Sequence, residues 1–327
     1  MNKFRITRSA CVLLSLFGVI GAPASAQQWP TKPVRFIVPF PPGQAADIAT
    51  RLFAGPLSTA LGQQVVVENR PGAGTMIGTQ LVAKSAPDGY TILAGGSSAL
   101  VIGPHVYKNT GYDTLKDFAP ITKVNVTSFV FCVNLSLPVK SIPELVALAK
   151  RRPGEITYGT AGAGSAQHLT QAMFAAVTGV TLTHVPYKGG AVASITDLIG
   201  GQISLIAETT PAVLPHVKAG KIRPIGASSV TRISFLPDVA TLQEQGIKDF
   251  EVTGWTGIVA PAGTPEPILA RLSTEILKIL NTPEIIKRYY DVGMELGSSS
   301  REHFGAALKK EHAMWANAVK ISGVTVE

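Results

Sequence analysis

Cysteine is nearly missing from this chain: Cys11 and Cys132 are the only two in 327 residues. The first falls in an expected leader segment, so the secreted form keeps one, and a lone cysteine makes no internal disulfide. Cys132 stands among Phe129, Val130, Phe131 and Val133, which marks it as a core residue. Nothing nearby in sequence activates its thiol as a nucleophile. Charge is sparse too, at 15% of residues. The lysines and arginines are scattered and form no basic run interleaved with aromatics, which argues against nucleic acid as a partner. Long apolar runs are absent. Residues 12–20 are apolar, but a bilayer span takes ~20 residues, and no later stretch comes closer.

Several chemical signatures are missing or broken. The six histidines are dispersed, with no H-E-x-x-H or clustered metal pattern. There is no G-x-x-x-x-G-K-[ST], and residues 72–78 miss G-x-G-x-x-G because the last glycine comes one place late. Gly95-Gly96-Ser97-Ser98-Ala99 approaches the G-x-S-x-G nucleophile elbow. It ends in alanine, and Gly103-Pro104 is expected to interrupt the helix that an elbow needs. We expect no catalytic residue, no metal and no cofactor.

What is present begins at the N-terminus. Lys3, Arg5 and Arg8 precede the apolar run, and Ala24-Ser25-Ala26 follows it. This order predicts a secretory signal peptide cleaved after Ala26. A lipid anchor needs cysteine at the cleavage site, and Cys11 lies before the apolar run. The leader's only charges are those three cations, so cleavage lowers the net charge from +8 to +5. A mildly positive field helps attract anions. The remaining chain of about 300 residues is long enough for two ordinary domains.

Strand-like and helix-like segments alternate, which predicts an α/β fold. Residues 34–40 form a short β-branched run ended by Pro41-Pro42-Gly43. Ile48, Leu52, Phe53 and Leu57 then recur at helical spacing. Residues 65–67 and 90–94 read as further strands, with a loop at 70–74 and a turn at Pro87-Asp88-Gly89. The same grammar returns in strands at 156–158, 181–185 and 203–207, with helices at 167–177 and 191–199 between them. We read two βαβαβ lobes facing each other. Near the C-terminus, Ser299 and Glu302 form a capping-box pattern. Phe304, Leu308, Trp315 and Val319 share one helical face, expected to pack inward.

Each lobe places small residues between its first strand and the next helix. The first N–H groups of a helix lack internal partners and carry the positive end of its dipole, so such a loop can cradle an anion. Gly43, Gln44, Ala45 and Ala46 form one candidate cradle; Thr160, Ala161, Gly164 and Ser165 form the other. Tight turning alone also explains small residues, and repetition in both lobes is what favours binding. Asp47 is a candidate partner for a ligand amine or a helix cap. His168 can meet a carboxylate or brace its loop. Glu208, at a strand end, can face the cleft as an acceptor, serve as a neutral donor if its pKa is raised, or lie at the surface.

Several segments in order carry a resemblance. They include Trp29-Pro30-Thr31-Lys32-Pro33, Val38-Pro39-Phe40-Pro41-Pro42-Gly43, Val67-Glu68-Asn69-Arg70-Pro71-Gly72-Ala73-Gly74 and Ala86-Pro87-Asp88-Gly89-Tyr90. Tyr158-Gly159-Thr160-Ala161-Gly162, Gln167-His168-Leu169, His184-Val185-Pro186-Tyr187-Lys188-Gly189, Leu236-Pro237-Asp238-Val239 and Ala260-Pro261-Ala262-Gly263-Thr264-Pro265 follow. With these the chain resembles the tripartite tricarboxylate transporter substrate-binding proteins, also called the Bordetella uptake gene family. The resemblance implies a two-lobed, type II periplasmic-binding-protein-like fold with the ligand cleft between lobes. It implies capture of a small carboxylate and delivery to membrane permease subunits, without catalysis. Phe40 to Asp47, Ser97 and Ser98, Gly159 to His168, and Glu208 are then expected to face the cleft. We place the signal at 1–26, the first lobe at 27–125, the second at 126–250, and a return to the first at 251–327, with hinge crossings near Asn125 and Phe250. A monomer is expected. The chain departs from the family at Gln44, where a second glycine is usual, at Ala46, where a hydroxyl is often near, at Ala163, where asparagine is frequent, and at Glu208, where aspartate is common. Ligand identity stays open between an aromatic dicarboxylate such as terephthalate and an aliphatic one. A periplasmic sensor subunit and a secreted serine hydrolase are the competing readings.

Overall fold

The computed structural model describes residues 29–322, so the expected signal peptide lies outside the described residues. The first unit runs β1 (Val34–Val38), α1 (Ala45–Leu61), β2 (Val65–Asn69), α2 (Met76–Ala83) and β3 (Thr91–Gly96). A π-helical segment (Ser98–Ile102) leads through α3 (Gly103–Val106) and α4 (Thr114–Asp117) to the long strand β4 (Phe118–Val133) and α5 (Ile142–Arg151). The second unit is β5 (Thr157–Thr160), α6 (Ala166–Thr178), β6 (Thr183–Pro186), α7 (Gly190–Ile199) and β7 (Leu205–Thr209). It is followed by α8 (Thr210–Lys218), β8 (Arg223–Ala227), β9 (Thr253–Pro261), α9 (Glu266–Leu280), α10 (Pro283–Asp291), β10 (Glu295–Leu296) and α11 (Arg301–Ser322).

The expected pair of βαβαβ units is present. In the first, β1 lies between β2 and β3, parallel to both; in the second, β5 lies between β6 and β7, again parallel to both. The sheet order is β2-β1-β3-β9-β4-β7-β5-β6, with β8 and β10 also on β4. The middle is antiparallel: β9 joins β3 to β4, and β4 joins β7. Strand β4 pairs with β9 as far as Ser128 and with β7 from Phe129 onward. One strand therefore serves both units. Open α/β sheets place their crevice beyond the carboxyl ends of parallel strands. Here the loops after β1 and β5 meet at such a crevice.

Local chemistry explains the elements. Helix α1 buries Ala49, Phe53, Leu57 and Leu61, one residue per turn, against the first unit's sheet. Phe53 meets Phe36 of β1 edge-on at 6.0 Å. Gly62 ends the helix in the left-handed conformation at φ 69°. Cys132 is fully buried, as its apolar neighbours predict. On α11, Phe304, Leu308, Trp315 and Val319 are buried, and Phe304 packs edge-on against Trp255 of β9.

Some readings need correction. The capping hydroxyl of α11 is that of Ser300, which accepts the His303 N–H; Ser299 instead gives its carbonyl to Thr122. The strand read at 90–94 extends to Gly96, and the one read at 156–158 extends to Thr160, which is therefore a strand end and not a loop residue. Gly103-Pro104 does not interrupt the helix after Ser97: the proline sits in the first turn of α3, where its missing N–H costs nothing.

Candidate functional site

The loop from β1 to α1 turns at Gly43, whose φ of 81° lies in the left-handed region that favours glycine. Its N–H donates to Asp47 Oδ2 at 2.9 Å. Asp47 Oδ1 accepts from Arg51 Nε at 2.8 Å and Asn69 Nδ2 at 2.9 Å. The Asp47 carboxylate is thus consumed in fastening the loop, which corrects the alternative of a ligand amine. Gln44 is the N-cap residue of α1, and its side chain makes no capping bond. The first turn of this 17-residue helix therefore presents backbone N–H groups without a side-chain acceptor.

The loop from β5 to α6 is built differently. Ser165 Oγ caps α6, accepting the His168 N–H at 3.2 Å and donating to the Gly162 carbonyl at 2.7 Å. The Ala166 N–H donates to Ser98 Oγ at 2.9 Å. Thr160 Oγ1 accepts the Gly162 N–H and lies 2.7 Å from His184 Nε2. His168 Nδ1 accepts the Gly164 N–H at 3.2 Å, so His168 braces the loop. His168 also stacks on His184 at 4.2 Å. Burial, and then His184, lower its pKa to about 4. The hydroxyls of Thr160, Ser165 and Ser98 are committed to loop and helix structure.

Two spaces lie between the units, with Phe40 in the lining of both. The inner pocket, ≈ 40 Å³, is lined on one side by Phe40, Gln44, Ala45, Ala46, Ser97 and Ser98. Its other walls are Ala166 and Gln167 of α6, Thr127 and Phe129 of β4, Thr209, and Trp255 and Thr256 of β9. None of these residues is charged. The outer cavity, ≈ 610 Å³, shares Phe40 and is lined by Ala161, Gly162, Ala163, Ser165, Tyr107 and Lys188, among others. Tyr107 closes one side by donating its hydroxyl to the Ala163 carbonyl at 2.5 Å.

The structure thus gathers Phe40, Gln44, Ala45, Ala46, Ser97 and Ser98 around one pocket and places Ala161 and Ser165 at the adjoining cavity. Gly43 lies instead beside Val192, and Gly164 against the Tyr107 ring. Glu208 is fully buried, which removes the surface reading. Its Oε1 accepts from Gln167 Nε2 at 2.8 Å and its Oε2 accepts the Thr209 N–H at 2.9 Å. Burial raises its pKa to about 7, against the lowering effect of those donors. Gln167 also donates to Gln44 Oε1 at 3.2 Å. No hydrogen bond ties Ser97 to a histidine among the described residues; His168 and His184 are engaged with Gly164 and Thr160.

Gln167 lies within the span 159–168 expected at the cleft, though it was not singled out; sequence reading missed Thr127, Phe129, Thr209, Trp255 and Thr256. Four of those five sit on β4 and β9, whose strand character was not read.

Comparison with known proteins gives concordant results. The model for the tripartite tricarboxylate transporter family receptor matches residues 49–323. Protein BugT of Bordetella pertussis strain Tohama I is 34% identical over 328 aligned positions, covering 100% of each chain. The structure of R. palustris Rpa4515 with adipate superposes with a TM-score of 0.87 at 34% identity, over 91% of this chain and 99% of that one. The periplasmic binding protein BugD gives the same TM-score and identity, over 91% and 100%. The periplasmic-binding-protein-like fold expected from sequence is borne out.

Proposed function

The chain belongs to the tripartite tricarboxylate transporter receptor family of solute-binding proteins, and from that membership we propose that it captures a small carboxylate in the periplasm for a membrane permease. Of the described residues, 29–125 with 251–322 form one lobe and 126–250 the other, and the cleft between them takes the ligand. The crossings run through β4, where its pairing changes after Ser128, and through the chain entering β9 at Thr253.

One observation carries the carboxylate reading. The N-terminus of α1 has no side-chain cap and opens, through Ala45 and Ala46, on a pocket without a charged residue. Backbone N–H groups and the positive end of the helix dipole attract a carboxylate there. A water-sized group needs ~10–15 Å³ of such volume, so the inner pocket has room for a group of about three heavy atoms. The rest of the ligand extends past Phe40 into the outer cavity, where Lys188 and the backbone at Ala161 to Ala163 stand ready for a second polar end. The relative that holds adipate fits an aliphatic dicarboxylate of that length. Ala45, Ala46, Gln44, Phe40, Ser97 and Ala161 are the residues in contact; Asp47, Thr160, Gly164, Ser165 and His168 hold the loops.

A thermal-shift panel of mono- and dicarboxylates from propionate to adipate, with terephthalate, tests this. A bound carboxylate at 100 times its Kd adds ~2.7 kcal/mol of stability. A panel without any shift contradicts the reading.

A further inference from the structure

One acid lies buried behind the inner pocket, held only by neutral donors. Glu208 ends its acceptance on Gln167 Nε2, the Thr209 N–H and, at 3.5 Å, the Thr209 hydroxyl. The titratable groups on the elements around it are turned elsewhere. On α6, His168 faces Gly164; on β5, Tyr158 stacks on His184; on α7, Asp197 accepts the Tyr187 hydroxyl. On α8, His216 feels Lys221 and Lys218 is exposed. On β4, Lys123 acts on Glu311, while Cys132 feels Glu208 itself, its thiol being pushed up first by burial and then by that acid. No cation balances Glu208 from these elements.

Gln167 and Thr209 both line the inner pocket and both bond to Glu208. A ligand group seated in the pocket is therefore separated from the acid by one side chain. Two carboxylates that close in a dry site do not both stay ionised near neutral pH. We propose that Glu208 is a specificity-determining residue that admits a carboxylate to the inner pocket only together with one proton, which Glu208 takes. This rests on the carboxylate reading above. The proton comes from solvent and ends on a Glu208 oxygen; no ligand bond changes.

The hydrogen-bond chain supports this exchange. With Glu208 ionised, Gln167 donates from Nε2 to both Glu208 and Gln44, and Gln44 Nε2 is left buried without a partner. A protonated Glu208 donates instead. Both amides then turn: the Gln167 oxygen accepts from Glu208 and from Gln44 Nε2, which takes the place that Gln44 Oε1 holds now. The unpartnered position of Gln44 passes from a donor to an acceptor, and the Gln167 amide hydrogens are freed for the ligand. Burial already lifts the Glu208 carboxyl to about 7, and a neighbouring carboxylate lifts it further.

Calorimetric titration of the full mature protein at pH 8, in phosphate and in Tris, counts the protons. The probe is whichever carboxylate from propionate to adipate gives the largest thermal shift. We expect uptake of about one proton and a Kd that rises about tenfold per pH unit above the Glu208 titration. E208Q takes up none, and its Kd is flat with pH. If that variant does not fold, infrared spectra of the wild type serve: adding the carboxylate at pH 8 must bring up the C=O band of a buried protonated carboxyl. Binding without proton uptake, or without that band, overturns the inference and leaves the carboxylate reading standing, as does an E208Q protein that keeps the pH slope. A panel in which no carboxylate binds overturns both.

Discussion

Gln44 and Gln167 meet across the cleft, the side-chain oxygen of the first accepting from the amide nitrogen of the second at 3.2 Å. Both are 3% exposed. One belongs to the start of α1 in the first unit, the other to α6 in the second. This contact narrows the inner pocket at the start of α1. Gln44→Gly should widen that end and remove one cross-cleft hydrogen bond, worth about 1 kcal/mol. The order of carboxylates in the thermal-shift panel should move toward those with a bulkier end. An unchanged order means that Gln44 does not shape the pocket.

Ser165 offers a cleaner separation of structure from binding. Its hydroxyl caps α6 and ties Gly162. Ser165→Ala should cost about 1 kcal/mol of stability, the usual worth of such a cap, seen as a lower urea midpoint. Affinity should fall only through loosening of the loop. A variant of normal stability that has lost binding makes Ser165 a ligand contact instead.

Two buried groups predict how stability changes with pH. Glu208 has its pKa raised from 4.5 to about 7, so the folded state holds the proton longer than the unfolded chain does. Its contribution is fully present below pH 4.5 and is lost as pH rises through 7, by up to about 3 kcal/mol. His168 has its pKa lowered from 6.5 to about 4, so its contribution is present above 6.5 and is lost as pH falls toward 4. Protonation of Nδ1 would also break its bond from the Gly164 N–H. His168 acts alike in both proteins, so without ligand the stability of the wild type relative to E208Q should fall between pH 5 and 8, while E208Q itself rises toward pH 6.5, as read from denaturant midpoints. A difference between wild type and E208Q that stays constant or grows with pH across that window contradicts the assignment to Glu208.

The two βαβαβ units were legible because each element carries a local signal: β-branched runs, helical spacing in residues such as Phe53 and Leu57, and turns at Pro87-Asp88-Gly89. The middle of the sheet was not. Strand β4 begins among Pro120, Thr122 and Lys123, with register shifts at Pro120/Thr122 and Lys123/Asn125, so no clean alternation marks it. Strand β9 is interrupted by Gly254 and Gly257, each of which lets an aromatic ring approach closely, Phe129 and Phe304 respectively. Of the site, the two cradle loops could be read from their small residues. Which hydroxyls were free could not, since Ser98 meets Ala166 only after 68 residues of chain have folded back. The Gln44–Gln167–Glu208 chain joins residues from α1, α6 and β7, and no local pattern links them.

The central claim is that backbone N–H groups at the start of α1 hold the ligand's carboxylate. Amide-resolved NMR of the ¹⁵N-labelled protein, titrated with the best carboxylate of the panel, reads those groups directly. The account predicts that the Ala45 and Ala46 amide protons move to lower field by the largest amounts, in step with occupancy, and that Ala46→Leu nearly abolishes binding while Lys188→Ala weakens it modestly. If the Ala45 and Ala46 resonances stay in place while Lys188→Ala removes binding, an ion pair in the outer cavity holds the carboxylate and the account is wrong.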